Sequence, residues 1–231
     1  MTLAASLIVF DCDGTLADSQ YLIVEAMRLA FEDVGLDAPD RAAVLRTVGL
    51  SIPEVLKYLA PAQHPDIRAE LSGAYRNWCM TLRRQPQMQE PLFPGAAACL
   101  FNLAARDDVF LGLATGKSRR GVMRFIEQNG LHGVFSTIQT ADDAPSKPHP
   151  AMLLQAMTET GATPEATVMI GDTSYDMMMA AHAGATGIGV SWGYHTATDL
   201  TNGGAKTIVR SFAALERALL AKEPAEFGAV A

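Results

Sequence analysis

Asp11-Cys12-Asp13-Gly14-Thr15 places two carboxylates one residue apart, directly after the apolar run Leu7-Ile8-Val9-Phe10. A short apolar run rich in branched residues reads as a buried strand. Charge at the end of such a strand is costly unless something compensates it. A bound metal ion would compensate it, and so would chemistry that uses the charge. Gly14 permits a turn at that point. The plainer reading is an ordinary Asp-x-Asp-Gly turn. A calcium loop would need further oxygen ligands and a glutamate at its twelfth position, but Ile23 and Val24 stand near that place.

Three other stretches carry compatible chemistry. The run Val109–Ala114 stops at Thr115-Gly116, where a hydroxyl and a backbone N–H can hold an anion at a helix start. The run Val168–Ile170 stops at Gly171-Asp172, with Asp176 four residues further on. Lys147 lies on the loop between them. Together these residues offer carboxylates for a hard divalent cation, an ammonium group and neutral donors. Magnesium suits a few carboxylates supplemented by water and phosphate oxygens, so the set reads as a phosphoryl-transfer site.

Each piece also has a plainer role. Thr115 could cap a helix. Lys147 could be a solvated lysine. Asp172 could cap the next helix, with Asp176 as its first-turn charge. Their ordered recurrence at the ends of successive strands argues against all of these at once. Cys12 should face away from its aspartate neighbours and pack in the core. His149 reads as a helix-start residue, and His132, His182 and His195 have no metal-ligand spacing. Met177, Met178 and Met179 read as packing.

These residues need a scaffold that brings four distant stretches together. From Ala96 onward, helical patterns alternate with strands at Val109–Ala114, Val134–Ile138, Val168–Ile170, Thr186–Val190 and Lys206–Val209. That alternation implies a doubly wound α/β core, a parallel sheet with helices on both faces. Ligands bind such sheets at the C-terminal ends of the strands. The stretch from Leu16 to Leu92 contains helical patterns at 23–34, 44–50, 53–59 and 67–82 and no convincing strand. It is too long for an ordinary crossover. The expected division is a core of 1–15 and 93–231 with a helical domain of 16–92 inserted over the strand ends, able to open and close as a lid. One larger mixed domain is the alternative.

The formal charge of -7, from 25 acidic and 18 basic residues, disfavours nucleic acid or an anionic membrane as partner. It leaves room for a small phosphorylated metabolite, because a metal offsets local negative charge. The hydrophobic content of 49% supports a packed core. Three scattered cysteines form neither a disulfide framework nor a zinc pattern, which points to a reducing, cytoplasmic setting. The start has no basic leader, and no apolar run is long enough to span a bilayer. A monomer and a homodimer are both compatible with the sequence.

Asp11-x-Asp13-Gly14-Thr15, Thr115, Lys147 and Gly171-Asp172-(x)3-Asp176 together resemble the four motifs of the haloacid dehalogenase superfamily. The helical stretch resembles that superfamily's helical cap. Asp13-Gly14-Thr15-Leu16-Ala17-Asp18-Ser19, Ala114-Thr115-Gly116-Lys117, Ser146-Lys147-Pro148-His149-Pro150 and Ser191-Trp192-Gly193-Tyr194 are similar to its phosphoglycolate phosphatase group. The resemblance implies that Asp11 is a nucleophile forming an aspartyl-phosphate, and that Asp13 is the general acid and base. It further implies that Thr115 and Gly116 bind phosphoryl oxygens while Lys147 stabilises their charge. Mg²⁺ would be held by the Asp11 side chain, the Asp13 carbonyl and Asp172, with Asp176 in or just behind that shell. An acid at Asp13 favours phosphoryl transfer over dehalogenation.

The segment Arg46-Thr47-Val48-Gly49-Leu50-Ser51 resembles the cap loop facing the site. There Arg46 or Lys57 would meet a substrate carboxylate or second phosphate, or else be solvated. Lys117-Ser118-Arg119-Arg120 either raises the potential at the cleft or forms a solvated first turn. The expectation is a Mg²⁺-dependent phosphatase, with phosphoglycolate as leading substrate. Pyrophosphate, a nucleoside monophosphate or a sugar phosphate are alternatives, as are a phosphomutase and a non-catalytic binding module.

Overall fold

A computed structural model describes residues 6–220. The start read for a leader, residues 1–5, and residues 221–231 lie outside the described residues.

Six strands form one parallel sheet: β1 (Ser6–Phe10), β2 (Val109–Thr115), β3 (Thr137–Thr140), β4 (Thr167–Gly171), β5 (Thr186–Val190) and β6 (Thr207–Val209). Their order is β3-β2-β1-β4-β5-β6, the expected doubly wound arrangement. The helices are α1 (Gln20–Asp33), α2 (Arg41–Arg46), α3 (Ile52–Leu59), α4 (Pro65–Leu82), α5 (Ala96–Ala104), α6 (Arg119–Gln128), α7 (Ala151–Thr160), α8 (Ser174–His182), α9 (Ala197–Asn202) and α10 (Phe212–Leu220).

Alternation along β1 sets the two cores. Ile8 and Phe10 pack on one face with residues of α5, α6 and α10, such as Leu100, Phe125 and Leu215. Leu7 and Val9 pack on the other face with Met152 and Leu153 of α7 and Met179 of α8. Cys12 lies fully buried in the first of these clusters.

Between β1 and α5 the described chain is helical. Leu22, Ile23, Ala26, Met27, Ala30 and Phe31 make one buried stripe on α1. Part of that stripe joins Val44, Val55, Leu56 and Leu71 in a cluster separate from the two sheet cores. His64 caps α4, and Pro65 occupies its first turn, where a missing N–H costs nothing. Two linkers tie this helical layer to the sheet. The Phe93 N–H donates to the Leu16 carbonyl and the Asp18 N–H to the Pro91 carbonyl, both at 2.9 Å.

Three element readings change. The third strand begins at Thr137, opposite Gly112, and not at Val134. Val134 instead packs into the sheet core from the turn that precedes the strand. The helix expected over 44–50 is α2, which starts and ends earlier; Thr47 closes it and Gly49 turns the chain at φ 98°. Helix α9 carries a capping box, with Thr196 and Asp199 bonding reciprocally, in a stretch with weak apolar periodicity. Among the described residues, no helix is long and apolar enough to cross a membrane.

Leu56→Ala should cost about 2–5 kcal/mol by opening a cavity in the helical layer. Amide exchange measured by mass spectrometry should accelerate across α1–α4 before it accelerates in β1, β2 and β4.

Candidate active site

β1 lies between β2 and β4, with Phe10 in register with Leu113 on one side and Ile170 on the other. One residue further along each strand, the chain reaches Asp11, Ala114-Thr115 and Gly171-Asp172. The sheet therefore delivers three motif ends side by side, where the strand order reverses. Gly14 turns the chain away at φ 85°, a conformation that side chains disfavour.

Asp11, Lys147, Asp172 and Asp176 are all buried. Asp11, Asp172 and Asp176 each offer an oxygen within 4.8 Å of the others. Lys147 Nζ lies 2.8 Å from Asp11 Oδ1 and donates to Asp176 Oδ1 at 2.6 Å. Asp172 is braced on both oxygens: the Thr15 hydroxyl donates to Oδ1 and the Tyr194 N–H to Oδ2, each at 2.8 Å. Asp176 doubles as the capping-box residue of α8, where its Oδ2 accepts from the Thr173 hydroxyl and N–H.

Asp11 differs from its neighbours. The lysine approaches it as an ion pair without hydrogen-bond alignment, and neither carboxylate oxygen accepts a hydrogen bond. Burial pushes its carboxyl up to about 7 against the pull of Lys147. Burial, then Asp11 and Asp176, push Asp172 well above the ordinary carboxylate range. Burial alone would lower Lys147, but Asp11 and Asp176 outweigh it and hold the ammonium charged. With all three carboxyls ionised, one ammonium would leave an excess of negative charge that water does not reach, and burial therefore favours the protonated forms of Asp11 and Asp172 until a cation arrives. An oxygen-only donor set with two orphaned oxygens fits a hard divalent cation.

The Asp13 side chain stands apart from this cluster. Lys117 Nζ donates to Asp13 Oδ1 at 2.6 Å and to Glu90 Oε1 at 2.5 Å, and the Ser19 hydroxyl donates to Asp13 Oδ1 at 2.5 Å. Arg83 Nε donates to the other Glu90 oxygen at 2.6 Å. Burial would raise the Glu90 carboxyl, but Lys117 and Arg83 overcome it and hold the group down at about 2. Thr115 is buried, and its hydroxyl accepts the Lys117 N–H at 3.2 Å.

The helical layer reaches over these groups. A Cβ on Gly116 would fall 2.5 Å from the Leu50 carbonyl oxygen, so the 47–51 loop sits directly on the second motif. The Ser51 N–H donates to Ser146 Oγ at 2.8 Å, and the Tyr175 hydroxyl to the Arg46 carbonyl at 3.2 Å. His195 Nδ1 accepts the Ser174 N–H at 3.1 Å. That leaves its Nε2, 3.1 Å from the Arg46 carbonyl, to carry the proton. Burial lowers the pKa of this imidazole and keeps it neutral. Beneath the layer lies a cavity of about 570 Å³, with Asp13, Gly116 and Lys117 among its lining. Arg46 is exposed and does not line it, and Lys57 is exposed and paired with Glu54 at 2.7 Å.

The family model for haloacid dehalogenase-like hydrolases matches residues 8–190. The chain belongs to the haloacid dehalogenase-like hydrolases. It is 35% identical over 209 residues to a probable phosphatase, IndB, of Dickeya dadantii, covering 89% of this chain and 90% of that one. It is 30% identical to the pyrophosphatase PpaX of Oceanobacillus iheyensis, covering 80% and 83%. It is 28% identical to a phosphoglycolate phosphatase of Yersinia pestis, covering 81% and 82%.

Around the site of this haloacid dehalogenase-like hydrolase stand residues whose contacts the sequence motifs do not disclose. Glu90 and Arg83 lie after the last helical pattern of the inserted stretch, at 67–82, and belong to none of the motifs. The loop Trp192-Gly193-Tyr194 works through backbone and ring: Trp192 Nε1 donates to the Thr15 carbonyl at 3.0 Å, and the Tyr194 N–H reaches Asp172. Of the basic run, Lys117 is buried against Asp13 and Glu90, whereas Arg119 pairs with Asp143 at 2.7 Å.

Glu90→Gln should cost about 3–5 kcal/mol at pH 7, because it removes the shared partner of two largely buried cations. The folded carboxyl lies at about 2, below its ordinary value of 4.5. Its contribution is therefore complete above about 4.5 and lost as pH falls toward 2. Urea denaturation of both proteins at pH 7, 5 and 3 should show a gap that holds at pH 5 and narrows at pH 3.

Proposed function

We propose that this haloacid dehalogenase-like phosphatase hydrolyses a small phosphomonoester through an aspartyl-phosphate on Asp11, with Mg²⁺ as its cofactor. The observation that carries the reading is Asp11 itself. Its buried oxygens are free of hydrogen bonds, beside a charged lysine and two further carboxylates. A nucleophile needs an unencumbered oxygen, and a buried one needs cations to keep it ionised.

Asp11 attacks phosphorus, and the ester oxygen leaves with a proton from Asp13. Asp13 then takes a proton from the water that attacks the aspartyl-phosphate, releasing inorganic phosphate and restoring Asp11. Lys147 faces the negative charge that gathers on Asp11 and the phosphoryl oxygens. Thr115 and Gly116 offer a hydroxyl and an N–H to those oxygens. Lys117 and Ser19 hold the Asp13 carboxyl beside the cavity. Asp11 and Asp172 would hold the magnesium with the Asp13 carbonyl, and Asp176 would steady Lys147 from the same shell. A bound magnesium ion would offset the charge of the carboxylates and the phosphoryl group.

Residues 16–92 act as a cap on the core of 1–15 and 93–231, excluding water while the reaction runs. Phosphoglycolate is the reference substrate and pyrophosphate the second, in keeping with the names of the two relatives. Three free, buried cysteines support a cytoplasmic setting.

Phosphate release should require Mg²⁺, stop with EDTA, and fall at least about 10³-fold in Asp11→Asn. Wild-type rates in that variant would overturn the reading. The raised Asp11 pKa favours the folded state below about pH 4, and that contribution disappears as pH rises through about 7. Mg²⁺ binds the ionised cluster, so it should raise the melting temperature more at pH 8 than at pH 5. At a hundredfold excess over Kd, about 3 kcal/mol of binding corresponds to a shift of several degrees. Calorimetry should find that difference largely absent in Asp172→Asn.

A further inference from the structure

The cavity above Asp13 is out of scale with a two-carbon leaving group. Its volume of about 570 Å³ falls within the roughly 300–1,000 Å³ of pockets that enclose drug-sized ligands. Met27, Val48 and Ile52 of the helical layer give it apolar walls. Arg76 of α4 lines it from the layer, and Arg120 and Arg124 of α6 line it from the core. The last two are four residues apart on one helix and so share a face. Among the described residues, none of the three makes an ion pair or a side-chain hydrogen bond, whereas Lys117 and Arg83 in the same cavity are both paired. The cavity's carboxylates are engaged as well. Asp13 is held by Lys117, and Asp142 accepts the Arg119 N–H at 2.8 Å.

Arg76 and Arg120 are exposed and Arg124 half-buried at the rim of this cavity, so three unpaired positive charges line one cavity of an acidic protein, where an anionic group would find them free. Guanidinium groups match carboxylate and phosphate geometry in paired hydrogen bonds. We propose that Arg76, Arg120 and Arg124 form a distal anion subsite, and that the substrate is a phosphomonoester whose leaving group runs along the apolar wall and ends in a carboxylate or second phosphate. This rests on the phosphatase reading and narrows its substrate to anionic esters longer than phosphoglycolate.

The test uses the full chain with Mg²⁺ and two series of esters: ω-carboxyalkyl phosphates starting from phosphoglycolate, and neutral alkyl phosphates of matching length. The ratio of kcat/KM between the series should rise with length and reach at least about tenfold, equivalent to about 1.4 kcal/mol. In Arg120→Gln/Arg124→Gln the ratio should collapse toward one, and the corresponding double lysine variant should keep part of it. Arg217→Gln, on the distant helix α10, should leave it as in wild type. A ratio that does not change with length in the wild-type protein overturns the inference, as does a double glutamine variant that keeps its preference. Asp11-dependent hydrolysis with a flat ratio overturns the subsite alone. No Asp11-dependent hydrolysis in either series overturns the phosphatase reading and the subsite with it.

Discussion

The structure turns on three clustered, buried carboxylates, two of which share one buried ammonium. Asp11, Asp172 and Asp176 lie within 4.8 Å of one another and out of contact with water, with Lys147 as the neighbouring cation. Bare carboxylates in such a place would protonate or force the fold apart. The chain instead fixes two of them with donors and leaves the third buried but without a hydrogen bond. The two braced acids differ from Asp11 for that reason. Thr15 and the Tyr194 N–H each bond one oxygen of Asp172, and Thr173 and Lys147 bond the two oxygens of Asp176.

A parallel sheet is a natural answer to this constraint. Strand ends bring residues far apart in sequence to neighbouring positions without a loop having to find them. The apolar packing of β1 on both faces holds the backbone before Asp11 rigid. The acid thus stands at the edge of a stiff element and not on a mobile connection. The capping box of α8 does similar service for Asp176: the bonds that start the helix also aim the carboxylate.

How much of this could be read from the sequence follows from what carries each contact. The order Asp11, Asp13, Thr115, Lys147, Asp172 and Asp176 was legible because each residue stands where an apolar run stops or a helix starts. The sheet and the helical stretch were legible from period and length. The partners of Asp13 were not. Glu90 and Arg83 meet Lys117 through side chains brought from a helix end and a linker, with no spacing to announce it. Tyr194 reaches Asp172 through a backbone N–H, which any residue would supply, so its type carries no signal. Arg46 drew notice because its loop faces the site, yet the loop contributes its carbonyls. The guanidinium that reaches the cavity from the helical layer, apart from the paired Arg83, belongs to Arg76, on a helix whose periodicity reported only packing.

The two linkers connect the helical layer to Asp13. Ser19 follows the outgoing linker and Glu90 precedes the returning one, and the linkers are stitched together at Leu16–Phe93 and Asp18–Pro91. Ser19 bonds Asp13 directly, and Glu90 bonds the lysine that bonds Asp13. A rotation of the helical layer about those linkers would act on the Asp13 carboxyl directly through Ser19 and indirectly through the Glu90–Lys117 pair. Asp11 has no such tie; its surroundings belong to the sheet and to Lys147. Asp11 is thus held by the sheet and Lys147, whereas Asp13 is supported from the core by Lys117 and from the helical layer through Ser19 and Glu90. Under the proposed mechanism, a substrate that drew the helical layer down would also steady the acid assigned to protonate its leaving oxygen.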